Sequence, residues 1–134
     1  MALPESGELI ERLREAAQGF PGLDLLILYG SRARAEATAR SDWDLGYLAT
    51  SDLDAAELHA RIVEVLGDDR VDLVDLARAS GQLRYRVAGD GRLVFERTAG
   101  SIERFRLEAI AYWLDMAPVI RAEYEARLRS IAGS

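Results

Sequence analysis

The apolar positions change their period several times along the chain, and each change marks an element. From Glu5 to about Gln18, Leu9, Ile10 and Leu13 fall on one side of a charged helix that Gly19-Phe20-Pro21-Gly22 closes. Leu25-Leu26-Ile27-Leu28-Tyr29 is a continuous apolar run of strand length, ended by Gly30. Further strands are expected over Trp43–Leu48, over Arg70–Leu76 behind the turn residues Gly67-Asp68-Asp69, and over Arg92–Glu96. Between them Ala55–Leu66 has helical period, with Ser51 or Asp52 as its cap. Arg78–Val87 reads as a weak helix interrupted by Gly81 and followed by a turn at Gly89-Asp90-Gly91. The last third carries one stripe, Ile102, Phe105, Ala109, Trp113, Ala117, Ile120, Tyr124, Leu128 and Ile131, along a long helix that Pro118 kinks or divides. That stripe either covers the sheet or forms an arm that docks a partner or a second copy of the chain.

The candidate chemistry lies between the first two strands. Gly30 and Ser31 sit where a buried strand opens into a turn, so a phosphate can approach the backbone there and receive N–H groups and a hydroxyl. In the second strand Asp42 and Asp44 fall on one face, because side chains alternate with period two. Two crowded carboxylates repel unless a proton or cation intervenes, and magnesium takes oxygen ligands of this kind while holding substrate phosphates. The third strand offers Asp72 and Asp75, three apart, so only one can join them; alternation alone does not choose. Arg32, Arg34 and Arg40 flank the motif as bidentate partners for a triphosphate or as a solvated face, with Arg32 the first candidate because it follows the Gly-Ser turn.

The spacing G-S-x10-D-x-D, followed by a separate acidic strand, resembles the DNA polymerase β-like nucleotidyltransferase superfamily. The short chain is similar to its minimal nucleotidyltransferase (MNT) branch, over about residues 20–98. The resemblance implies an α/β (α+β) nucleotidyltransferase fold: a small mixed sheet of about four strands packed by helices, with a long C-terminal helical segment. It implies Asp72 as the third carboxylate, two Mg2+ ions held by Asp42, Asp44 and Asp72, and nucleotide binding at Gly30, Ser31 and Arg32. It also implies an antitoxin role, with AMP transferred from ATP to a tyrosine hydroxyl of a cognate HEPN-domain ribonuclease toxin. Residues 1–98 would form the catalytic unit and 99–134 a helical extension of the same domain. Many relatives have glycine where this chain has Ala35. The competing readings are a small-molecule, aminoglycoside-type nucleotidyltransferase, which usually adds a second lobe, and a non-catalytic antitoxin that acts by contact.

Composition narrows the choice. A length of 134 residues suits one domain and leaves no room for a lobe to hold an acceptor, so the acceptor surface is expected on another chain. A net charge of -6 argues against stable nucleic-acid binding. All 17 basic residues are arginine, which excludes a P-loop lysine, a Schiff base and a lysyl-AMP intermediate. The single histidine, His59, lies on the Ala55–Leu66 helix as a packing or surface residue, leaving no base for a Ser-His-Asp triad. With no membrane-length apolar run and no secretion signal in Met1–Glu8, a cytoplasmic protein is expected; the absence of cysteine excludes disulfides and thiolate metal sites but fits any compartment.

Overall fold

The longest apolar run becomes the inside of the sheet. The computed structural model describes residues 6–38, 40–50 and 52–132. Its elements are α1 (Ser6–Gln18), β1 (Leu23–Tyr29), β2 (Trp43–Ala49), α2 (Ala55–Leu66), β3 (Val71–Asp75), α3 (Gly81–Asp90), β4 (Arg92–Glu96) and α4 (Ser101–Ala132). The four strands form one sheet in the order β3-β2-β1-β4; β1 is antiparallel to β2 and β4, and β2 is parallel to β3. β1 is therefore central, and a strand covered on both faces needs apolar residues at every step. Leu25, Leu26, Ile27 and Leu28 are all buried.

Alternation sends these residues to two cores. Leu26, Leu28, Leu45 and Tyr47 face Leu13 of α1 and Leu58 and Ile62 of α2. Leu25, Ile27 and Tyr29 face Val87 and Ala88 of α3 and Ile102, Phe105 and Ala109 of α4. The mixed four-strand sheet and the long C-terminal helix match the expected nucleotidyltransferase fold.

Several boundaries differ from the sequence expectation. α2 is capped by Asp54, whose carboxylate accepts from the Glu57 amide at 3.2 Å, and not by Asp52; Ser51 lies outside the described residues. α3 starts at Gly81 and runs through the expected turn, because Ser80 caps it by accepting from the Leu83 amide at 3.1 Å. Gly81 interrupts nothing: a Cβ there would sit 2.5 Å from the Tyr112 ring, so its missing side chain lets α3 and α4 approach. α4 continues through Pro118 as one helix and does not begin a second segment there. Its first turns join the core, whereas Pro118 to Ala132 are exposed throughout. Among the described residues no helix is long and apolar enough to cross a membrane.

Candidate active site

The register of β2 sets the site. Asp44 pairs with Tyr29 of β1 on one side and with Asp72 of β3 on the other, so Asp44 and Asp72 share a sheet face with Tyr29. Asp42 stands two residues before Asp44, just outside the strand, and its charge reaches Asp44. Asp75 pairs with Tyr47, whose ring belongs to the opposite core; burial first and then Asp75 raise the Tyr47 hydroxyl pKa there, against Arg78. The structure thus brings Asp42, Asp44 and Asp72 to one end of the sheet and sends Asp75 to the other face.

The field among these carboxylates is strong. Asp44 is half-buried, and burial first, then Asp72, then Asp42 raise its pKa above the ordinary carboxylate value, while Arg86 and Arg34 oppose them. Tyr29 is pushed up to about 12 by burial, Asp44 and Asp72, again against Arg86. Arg86, on α3, was not singled out by the sequence motif, because only the fold turns that helix toward the carboxylates. Asp90, one turn further along α3, binds Arg34 at 3.2 Å and ties the turn after β1 to the same helix.

That turn is short. Ala33 and Arg34 amides donate to the Gly30 carbonyl, the Glu36 amide donates to the Ser31 carbonyl at 2.9 Å, and Ala35 adopts a left-handed φ of 59°. This is one helical turn closed by a left-handed residue, so no helix follows the Gly-Ser pair. The Ser31 and Arg32 amides take no acceptor among the described residues and remain available as donors. Gly30 has a φ of 75°, and a Cβ on it would collide with Asp44 Oδ2; its absence lets the turn lie against the carboxylate.

The other candidates make contacts of their own. The Arg32 guanidinium donates to the Ser41 carbonyl through Nε at 3.2 Å and Nη2 at 2.8 Å and lies 4.0 Å from the centre of the Trp43 ring. Arg40 gives its carbonyl to Arg70 at 2.8 Å. His59 Nε2 lies 3.0 Å from the Val71 carbonyl and so anchors α2 to the start of β3. Among the described residues no three acidic, imidazole or thiol side chains converge into a ready cage for a metal ion. The donor set nevertheless suits a hard divalent cation: three carboxylates at one sheet end, with a mutual repulsion that a cation would relieve.

Comparison with known proteins gives this geometry a family. The profile of the polymerase beta nucleotidyltransferase family matches residues 11–99, which include every strand. The chain is 28% identical over 116 residues to the protein adenylyltransferase MntA of Aphanizomenon flos-aquae (strain 2012/KM1/D3), covering 78% of this chain and 77% of that protein. A crystal structure of a toxin–antitoxin with AMP-PNP contains a chain 29% identical to it, with a TM-score of 0.67, over 96% of this chain and 99% of that one. The structure of a tri-AMPylated Shewanella oneidensis HEPN toxin with its MNT antitoxin gives 29% identity and a TM-score of 0.59, over 94% of each chain. Because the family match takes in the whole sheet on which the carboxylates stand, the chain belongs to the polymerase beta nucleotidyltransferase family and is a nucleotidyltransferase of its minimal, antitoxin branch.

Proposed function

We propose that the chain transfers AMP from ATP to a tyrosine hydroxyl of a HEPN-domain toxin, with Asp42, Asp44 and Asp72 as the catalytic carboxylates. The observation that carries this reading is the pairing of Asp44 with Asp72 across β2 and β3, beside a Gly-Ser turn with available amides. An adenylyltransferase name on one relative, AMP-PNP with a second and an AMPylated HEPN toxin beside a third support the nucleotide and the acceptor class.

In this reading Asp42, Asp44 and Asp72 would hold magnesium, which would supply positive charge against the phosphates and favour loss of the acceptor hydroxyl proton. The Ser31 hydroxyl and the amides of Ser31 and Arg32 donate to phosphate oxygens that the glycine lets come close. Arg34 and Arg86 balance the charge of the leaving pyrophosphate from the α3 side. The tyrosine oxygen forms the new bond to the α-phosphorus as the bond to the β-phosphate oxygen breaks, and Asp72, an exposed carboxylate, takes the hydroxyl proton. The -6 net charge fits an acceptor supplied by another protein rather than a nucleic acid. We place the reaction in the cytoplasm, where ATP and a ribonuclease target meet.

The test is incubation with α-labelled ATP, magnesium and a purified HEPN-domain toxin that binds this chain. Label on the partner is expected, lost when its acceptor tyrosine becomes phenylalanine, and reduced at least about 10²-fold in Asp42→Asn or Asp44→Asn. Undiminished labelling by either variant would overturn the assignment.

A further inference from the structure

Two arginines hold the segment that carries Asp42. Arg32 reaches both of its neighbours, donating twice to the Ser41 carbonyl and stacking over the Trp43 ring. Arg70 Nη1 donates to the Arg40 carbonyl at 2.8 Å, and the Trp43 amide donates to the Arg70 carbonyl at 2.8 Å. Ser41 is fixed further by its amide on the Thr38 carbonyl at 3.1 Å and by its hydroxyl, which accepts from the Thr38 amide at 2.9 Å. Asp42 itself accepts no hydrogen bond among the described residues, so its carboxylate stands clear on a backbone held from both sides. Trp43 is buried, and it anchors this grip to the core beneath α2.

We propose that Arg32 is a positioning residue for Asp42: it clamps Ser41 and Trp43 and thereby sets where the Asp42 carboxylate stands relative to Asp44 and Asp72. The assignment rests on the carboxylate reading above. It assigns the guanidinium to the protein rather than to the triphosphate, because its Nε and Nη2 already serve the Ser41 carbonyl and its Cζ sits over the Trp43 ring. Lysine keeps the charge and loses both the two-pronged bond and the flat stacking surface.

Arg32→Met and Arg32→Lys in the full chain distinguish the roles. The magnesium concentration for half-maximal transfer is expected to rise about 10-fold or more in both variants, with kcat reduced and KM for ATP nearly unchanged. A second readout needs no turnover. The chain has two tryptophans, so in a Trp113→Phe background the fluorescence of Trp43, next to Asp42, is titrated with magnesium alone. Its midpoint should shift upward in the Arg32 variants, and Asp42→Asn should abolish the response. A large rise in KM for ATP with an unshifted magnesium midpoint would make Arg32 a phosphate ligand and overturn the proposal. So would recovery of wild-type behaviour by Arg32→Lys, or a lowered melting temperature with no change in either midpoint. Should Arg32→Met fail to fold by circular dichroism, Arg32→Lys decides alone. A wild-type chain that never labels the partner, yet shows the shifted fluorescence midpoint on Arg32 substitution, would sink the acceptor reading and leave this one standing.

Discussion

Burial and the two like charges of Asp72 and Asp42 disfavour the ionised form of Asp44 in the folded chain. Its folded-state pKa is raised, so the ionised form is disfavoured in the folded state; stability is gained as pH falls through the raised value toward the unfolded one and is lost as pH rises. Asp44→Asn should therefore stabilise the fold at neutral pH by less than about 1 kcal/mol once solvent screening is allowed for, read as a higher melting temperature, while removing activity. A lowered melting temperature in a calorimetric scan would contradict the repulsion argument. Tyr29 behaves in the same sense at the alkaline end. Its hydroxyl ionises at about 12 when folded, against 10.0 as the ordinary value, so the unfolded chain releases that proton first and stability declines between those values. Tyr29→Phe removes the group, and alkaline unfolding followed by circular dichroism should move to higher pH. At this scale the sequence was informative about residue types: Gly30, Asp42 and Asp44 could be picked out from spacing. Arg86 could not, because its relevance depends on which way α3 faces.

At the scale of elements, periodicity located every strand and helix, while the ends went astray by a few residues for a local reason. Asp52 and Asp54 are both capping types close before α2, and the choice fell to Asp54 because Leu58 and Ile62 had to reach the core. The turn after Ser31 is likewise set locally, because Ala35 adopts a left-handed φ and ends it after one helical turn. Alanine in that conformation is strained relative to glycine. Ala35→Gly is accordingly expected to stabilise the chain by about 0.5–1 kcal/mol, read as a higher urea midpoint at unchanged slope. A lower midpoint would show that the turn depends on the Ala35 methyl group.

For the whole molecule, α4 divides into a part that builds the core and a part that does not. Ile102, Phe105 and Ala109 are buried against the sheet, whereas Ile120, Tyr124, Leu128 and Ile131 continue the stripe into solvent. Removing everything from Pro118 onward should leave the melting temperature of the isolated chain nearly unchanged, within about 0.5 kcal/mol, because exposed positions contribute little to folding. A large drop would mean that the exposed half of the helix supports the fold after all. The periodicity of the stripe was readable in the sequence. Where the domain ends beneath it was not, since a helix repeats its pattern whether or not a sheet lies against it.

Sequence alone determined the local quantities: apolar period, strand length, the Gly-Ser turn and the spacing of Asp42 from Asp44, all of which follow from bonds between near neighbours in the chain. The tertiary structure decided what depends on register and packing between distant segments. It paired Asp72, not Asp75, with Asp44, because parallel alignment of β3 on β2 fixes which residues lie side by side. It also turned Arg32 onto Ser41 and Trp43 and swung Arg86 toward the carboxylates, because where a long side chain ends is set by the partners the fold brings within its reach.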